Sequence, residues 1–246
     1  MRRLAVIPAR GGSKRVPRKN VLPFLGKPML AWPIEMLQKT QLFDRIIVTT
    51  DDDEIAAAAM AAGADVPFRR PATLSDDFTG TREVIAHAIR AEGAASGSAI
   101  SDADLVCCVY PTAPFLESSD IARGADLIAS GDWRYVLSVC AFDVPVQRAF
   151  TLEGDTTQGP VRSLKMLFPD QFQARSQDLP PVYFDAGQFY WGTAAAWQSD
   201  EPIFGPQSTA VVLPAERVQD IDTPRDWEVA EAKMRAVLTN KAKFTA

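Results

Sequence analysis

The sequence predicts an α/β fold: a mostly parallel sheet covered by helices on both faces. Three observations carry this. Short, almost continuous apolar runs recur along the chain, as strands buried on both faces require. Segments with helical spacing lie between them. The unusual loops, rich in glycine and charge, follow the ends of the apolar runs, where ligands bind in open α/β sheets. A length of 246 residues suits one domain better than two independent cores.

In chain order, residues 4–8 form a first short apolar strand that runs into a Gly/Lys/Arg-rich loop. Residues 28–39 keep helical spacing at Leu30, Ile34 and Leu37, with Pro28 tolerated in the first turn. Residues 45–50 (RIIVTT) read as a second strand, and 51–62 as an alanine-rich helix with an acidic start and Gly63 as its stop. A short third strand at 66–68, a helix at 82–90 and a fully buried strand at 104–110 (DLVCCVY) follow. Residues 120–130 then read as a helix and 135–142 as a strand. From residue 143 Pro, Gln, Arg and Asp dominate and no clean period survives, which marks an excursion at 143–186 within a single domain spanning 1–246. Strand character resumes at 184–191 and 209–213, and an amphipathic helix at 223–238 closes the chain.

Apolar residues make up 47% of the chain and charged residues 23%, enough for a core and far from a disordered composition. The net charge of -5 argues against a general nucleic-acid or anionic-membrane surface. The N-terminal apolar run is shorter than the ~7–15 residues of a signal peptide, and nothing approaches the ~20 apolar residues of a membrane span. Three cysteines, Cys107, Cys108 and Cys140, sit inside apolar runs and suit reduced thiols in a core, so a cytoplasmic protein is expected.

Five cations in ten residues, Arg10, Lys14, Arg15, Arg18 and Lys19, accompany Gly11, Gly12 and Ser13 in the string IPARGGSKRVPRKN. Glycines let backbone N–H groups approach phosphate oxygens, and the Arg and Lys heads supply the charge a triphosphate needs neutralised. A solvated basic loop is the bland alternative. Its position after the first apolar strand of an acidic protein favours an anion site. Neither the G-x-x-x-x-G-K-[ST] nor the G-x-G-x-x-G spacing is present, which points away from P-loop and dinucleotide enzymes. Asp220 and Asp222, two residues apart in VQDIDTPRDW, suit a hard divalent cation. They suit equally a cap for the helix that follows. Asp51, Asp52 and Asp53 read as helix N-terminal charge. His87 is the one histidine, so no histidine-based triad or zinc set can be assembled.

These residues carry a resemblance. IPARGGSKR, then Lys19-Asn20, Arg70-Pro71, RSQDLP at 175–180 and finally the DID of 220–222 are similar, in order, to the acylneuraminate cytidylyltransferases. The resemblance runs from residue 5 to about 235. It implies a nucleotidyltransferase (glycosyltransferase-A-like) fold in which the N-terminal loop grips CTP and the DID aspartates bind Mg²⁺, with Mn²⁺ as a substitute. It further implies that the anomeric hydroxyl of an acidic nine-carbon sugar attacks the α-phosphate, and that the enzyme is a homodimer with the excursion contributing to dimerisation. VYPTAPFL at 109–116 departs from the family's LQPTSPLR, with Tyr110 and Leu116 in place of Gln and Arg, and DAGQFY at 185–190 departs from NGAIY. TAPFL, VPVQRA, KMLFP and DAGQFYW are instead similar to the pseudaminic acid cytidylyltransferases. Arg10, Lys14, Lys19 and Asp222 are then the expected catalytic residues. Gly11, Gly12, Ser13, Asn20 and Arg70 join the three cations around the nucleotide, and Asp220 and Asp222 hold the metal. Tyr110, Gln147, Arg148, Gln188 and Tyr190 are expected on the sugar side, with Arg175 reaching across the dimer. N-acetylneuraminic, legionaminic or Kdo acid are alternative acceptors, and a catalytically silent nucleotide-binding protein is the alternative from another class.

Overall fold

The computed structural model describes residues 1–153 and 163–244. Its strands are β1 (Arg3–Pro8), β2 (Pro23–Phe24), β3 (Lys27–Pro28), β4 (Arg45–Thr49), β5 (Leu105–Val109), β6 (Tyr135–Ala141), β7 (Phe150–Glu153), β8 (Ser163–Met166), β9 (Tyr183–Thr193) and β10 (Ser208–Leu213). The helices are α1 (Ala31–Thr40), α2 (Asp53–Ala61), α3 (Thr81–Ser96), α4 (Ser118–Ala129), α5 (Ala194–Gln198) and α6 (Pro224–Phe244).

Six strands form the main sheet in the order β10-β6-β9-β5-β1-β4. β1 pairs in parallel with β4 and β5, and β10 with β6. β5 (LVCCV) is buried at every position because side chains leave the sheet alternately toward two helical layers. Cys107 packs into the layer of α1, α2 and α4, and Cys108 into that of α3 and α5. All three cysteines are free and buried, and burial pushes their thiols up.

β9 is the exception to the parallel rule, since it runs antiparallel to both β5 and β6. Its register against β6 shifts between Leu137 and Val139. There the Ser138 hydroxyl accepts the backbone N–H groups of Gln188 (3.2 Å) and Phe189 (3.1 Å), satisfying donors that the bulge takes out of the ladder. Gly187 beside it has φ +60°, a backbone state glycine adopts at little cost. β9 also delivers Trp191, fully buried, whose truncation to alanine would cost roughly 3–5 kcal/mol.

The strand expected at 66–68 is absent. Backbone pairing with the sheet stops at one isolated bridge between Ile47 and Asp65, just before that stretch, and Pro67 has no N–H to continue a ladder. The first helix begins at Ala31, because Pro28 belongs to the small β2–β3 hairpin. α3 extends beyond the expected 82–90 and α6 beyond 238. Part of the excursion at 143–186 (154–162) lies outside the described residues, and the rest contains the β7–β8 hairpin. Its last residues, 183–186, already belong to β9. A third apolar cluster joins α6 to the β2–β3 hairpin, with Phe24 packed edge-on against both Trp32 and Trp227. This cluster fixes the chain that follows the basic loop.

Candidate active site

β1 and β5 are parallel neighbours whose onward connections leave in opposite directions, toward β4 and, through α4, toward β6, and such a switch point opens a crevice beyond the strand ends. The basic loop fills one side of it. Its turn is set by Arg18 in the left-handed region (φ 58°), with the N–H groups of Val21 and Leu22 both donating to the Arg18 carbonyl at 3.0 Å. That conformation is held from outside: the Arg18 guanidinium donates to Asp52 at 2.5 and 2.9 Å and to Glu54. Asp52 meanwhile caps α2 by accepting Ile55 N–H at 3.0 Å. The Arg18 hydrogen bond draws the Asp52 carboxyl down to about 2. Asp51 accepts the Gly11 N–H at 3.1 Å. A Cβ on Gly11 would lie 2.7 Å from an Asp52 oxygen, so the close approach of the loop to α2 requires glycine there. Asn20 is buried and its amide donates to the Arg10 carbonyl at 3.0 Å, tying the two ends of the loop together.

The cleft between this loop, the 74–84 segment and the end of β5 has a volume of ≈ 540 Å³. Arg10, Ser13, Lys14, Arg15, Lys19, Asn20, Arg70, Tyr110 and Asp222 all line it. Every cation of the loop has an acidic partner. Asp77 takes Arg10 at 2.7 Å and Lys14 at 2.5 Å, while Asp222 takes Arg15 at 2.6 Å and Lys19 at 3.3 Å. Lys19 also donates to the Ile221 carbonyl at 2.5 Å, which anchors the carboxylate segment to the loop. Arg70 is buried at 5% exposure, with Nε on the Ser75 hydroxyl at 3.1 Å and Nη2 buried without a hydrogen-bond partner. Burial lowers its pKa against the opposing pull of Asp51.

Capping of α6 falls to other residues than Asp222. Asp226 accepts the N–H groups of Asp222 (3.1 Å) and Thr223 (2.7 Å), and the Thr223 hydroxyl accepts the Asp226 N–H at 3.2 Å, a reciprocal capping box. Asp222 is thereby left to face the cleft. Asp220 does not line it, and its carboxyl is raised, first by desolvation and then by the charge of Asp222. Behind Asp222 the segment hangs on Arg217, whose guanidinium meets the buried Asp120 at 2.5 Å and whose carbonyl accepts the Gln188 amide at 2.5 Å.

The residues expected on the sugar side are not brought together. Only Tyr110 lines the cleft, its hydroxyl 2.7 Å from that of Thr81 and its ring edge-on to Tyr190. Gln188 and Tyr190 are buried, the former holding Arg217 and the latter donating to Asp185. Gln147 is buried against the Pro180 carbonyl, Arg148 donates to the Ala174 carbonyl, and Arg175 is exposed and paired with Asp178 at 2.7 Å. His87 stands edge-on to Phe68, away from the cleft, and burial lowers its pKa. The structure adds Asp76, Asp77, Thr79 and Thr81 to the cleft. Their signal, a run of acids and hydroxyls (SDDFTGT) before a helix, is visible in the sequence but has no partner there, since Asp77 meets Lys14 across 63 positions.

A cation-lined crevice at the switch point of such a sheet, with a carboxylate opposite the cations, fits an α/β nucleotidyltransferase. A cytidylyltransferase family model matches residues 4–138. The pseudaminic acid cytidylyltransferase of Campylobacter jejuni strain 81-176 is 40% identical, over 94% of this chain and 95% of that one. The N-acylneuraminate cytidylyltransferase of Escherichia coli O18:K1:H7 is 29% identical over 92% of this chain and 51% of its own. A solved structure of CMP:2-keto-3-deoxy-manno-octonic acid synthetase complexed with CTP shares the fold at a TM-score of 0.69 and 17% identity, covering 96% of this chain and 99% of that one. The chain belongs to the cytidylyltransferase family and is a nucleotidyltransferase.

Proposed function

We propose that the enzyme transfers CMP from CTP to the anomeric hydroxyl of pseudaminic acid and releases pyrophosphate. The carrying observation is the cleft itself, where Arg10, Lys14, Arg15 and Lys19 converge on one volume with Asp222. The names of the 40% and 39% identical relatives support the acceptor. Nucleotidyl transfer needs positioning and charge neutralisation more than covalent chemistry. Arg10, Lys14 and Lys19 neutralise the triphosphate and Ser13 gives hydrogen bonds, while Gly11, its N–H held by Asp51, and Gly12 let the loop take its course and Asn20 keeps the loop closed. Arg70 offers the nucleotide a buried guanidinium whose Nη2 meets Asp51 at 3.6 Å and makes no hydrogen bond.

Asp222 faces the cleft and is not spent on the helix cap, so it fits a divalent cation there, and Asp220, which stands outside the cleft lining, is the second carboxylate we assign to it. Two carboxylates completed by phosphate oxygens and water are the donor set Mg²⁺ takes at nucleotide sites, and Mn²⁺ accepts the same oxygens. When bound, the ion would neutralise the α-phosphate and acidify the attacking hydroxyl. Tyr110, fixed by Thr81, is the acceptor-side residue already in the cleft. Gln188 and Tyr190 support the cleft from behind, through Arg217 and through the Tyr110 ring, while Gln147 and Arg148 hold the excursion. The exposed apolar side chains of β7 and β8, Phe150 at 43%, Leu152 at 59% and Leu164 at 66%, support a homodimer, and Arg175 lies in the same excursion. No helix among the described residues is long and apolar enough to cross a membrane. We place the enzyme in the cytoplasm, where its three thiols stay reduced.

The test is pyrophosphate release with each of four nucleoside triphosphates against pseudaminic, N-acetylneuraminic, legionaminic and Kdo acids. CTP with pseudaminic acid should turn over fastest, by tenfold or about 1.4 kcal/mol of transition-state binding. Faster turnover with N-acetylneuraminic acid would overturn the acceptor. CTP binding without pyrophosphate release under any acceptor would favour a silent binder.

A further inference from the structure

We propose that Asp77 is an internal anion that occupies the triphosphate cations in the nucleotide-free protein, sets the affinity for nucleotide and assists the departure of pyrophosphate. The inference rests on the reading of this cleft as a triphosphate site. One Asp77 oxygen sits 2.7 Å from Arg10 and the other 2.5 Å from Lys14, so a single carboxylate bridges two of the cations assigned to phosphate. The Asp76 carbonyl accepts from the same Arg10 nitrogen at 2.5 Å. These contacts lie inside the cleft and would have to be exchanged for phosphate oxygens on binding.

The segment is built to let go. Residues 75–79 form a tight turn held by Asp76, whose Oδ1 accepts the N–H groups of Phe78 (2.9 Å) and Thr79 (2.7 Å) and the Thr79 hydroxyl (2.8 Å). The turn therefore keeps its shape by itself. Phe78 at its tip is 93% exposed, so no apolar contact pins it down and displacement costs little buried area. Its fastenings to the loop are the Asp77 pairs and the Asp76 carbonyl, and Lys14, 80% exposed, is free to turn toward a new anion. The Lys14 hydrogen bond holds the Asp77 carboxyl below its ordinary range, so it is charged at neutral pH. Asp222 differs in kind: its partner Lys19 is half-sequestered at 18% exposure and shares a carbonyl with the same segment. A small anion gains too little to displace Asp77. A triphosphate reaching both cation sets displaces it, and once pyrophosphate is cleaved off the carboxylate competes again for the cations.

Calorimetric titration of inorganic pyrophosphate into the protein in metal-free buffer tests this. Asp77→Asn should bind pyrophosphate roughly three- to tenfold more tightly than wild type, the span of one partly exposed ion pair removed from competition. Pyrophosphate should inhibit its turnover at correspondingly lower concentration, and the KM for CTP should fall. Asp77→Ala should behave alike, and a melting temperature within a degree of wild type shows that the fold is intact. Unchanged or weaker pyrophosphate binding in both variants overturns the inference while leaving the nucleotide site standing. Wild type and variants that bind neither pyrophosphate nor CTP would overturn the triphosphate reading itself, and this inference with it.

Discussion

Replacement of Asp120 by alanine tests how the carboxylate segment is held. The Asp120 side chain is 3% exposed and serves Arg123 at 2.6 Å and Arg217 at 2.5 Å. Arg123 is 56% exposed and can turn to water, but Arg217 at 16% cannot do so fully. Removing one partner of a buried pair costs about 3–5 kcal/mol, and the partial solvent access of Arg217 places this case near the lower end, at about 3 kcal/mol. At ~2.1 cal/mol/K per residue, 246 residues give an unfolding entropy of about 0.5 kcal/mol/K, so the melting temperature should fall by about 6 °C. Arg217 lies three residues before Asp220, and its displaced guanidinium also loosens the segment that presents Asp222. Activity at 20 °C should therefore need more Mg²⁺ in Asp120→Ala, whereas Arg123→Ala, which leaves Arg217 paired, should keep the wild-type Mg²⁺ curve. Scanning calorimetry and a Mg²⁺ titration of pyrophosphate release provide the readings. A melting temperature within 1 °C of wild type, or an identical Mg²⁺ curve, would refute the reasoning.

Asp222→Asn keeps the shape of the side chain while removing the charge a hard cation selects. Turnover should fall by two orders of magnitude or more and the Mg²⁺ requirement rise, while the melting temperature moves little, because two partly exposed ion pairs worth about 0–1 kcal/mol each are lost as repulsion with Asp220 is relieved; unaltered turnover and Mg²⁺ dependence would show the aspartate to be structural. Asp52, held at about 2 against an ordinary value of 3.8, contributes stability that is fully present above pH 4 and is lost as the pH falls through 2. The shift corresponds to about 2 kcal/mol at most, and solvent at the rim reduces it to about 1 kcal/mol. Asp52→Asn should thus flatten the acid limb of a melting-temperature profile between pH 4 and 2, and an acid limb identical to wild type would count against the Arg18–Asp52 anchor.

The sheet, its helical layers and the basic loop were legible because each announces itself locally, in a continuous apolar run, a 3.6-residue period or a density of charge. The direction of β9 was not. FDAGQFYW has the same apolar content whichever way it runs, and its antiparallel insertion depends on the bulge at Ser138 and on where the excursion releases the chain. Val66 and Phe68 look like strand residues, yet Pro67 prevents the ladder they would need. The side of the cleft built from the basic loop was legible as residues adjacent in sequence. The sugar side was not: Gln188 and Tyr190 lie on a strand buried on both faces, and composition alone cannot tell an inward polar group that braces Arg217 from one that meets a ligand. The capping box of Thr223 and Asp226 was present in the sequence as T-x-x-D, and it leaves Asp222 out of the helix cap.

An acidic protein that binds a polyanion must keep its cations from acting as a general basic patch, and the pairing of the loop shows how. Arg10 and Lys14 face Asp77, Arg15 and Lys19 face Asp222, and Arg18 faces Asp52 and Glu54. Three of these five serve different ends. Arg18 shapes the loop and stays paired whatever is bound, because its partner is also the cap of α2. Lys19 ties the loop to the carboxylate segment through Ile221, so the two halves of the site move as one. Lys14 is exposed and holds only Asp77, and can change partner without disturbing either. Partly exposed ion pairs are worth little each, so exchanging one carboxylate for a phosphate oxygen is close to neutral for a single contact. Net binding then requires several exchanges at once, in the arrangement the rigid half of the loop dictates. That requirement disfavours isolated phosphates and extended nucleic-acid backbones alike, and it is met by a compact triphosphate.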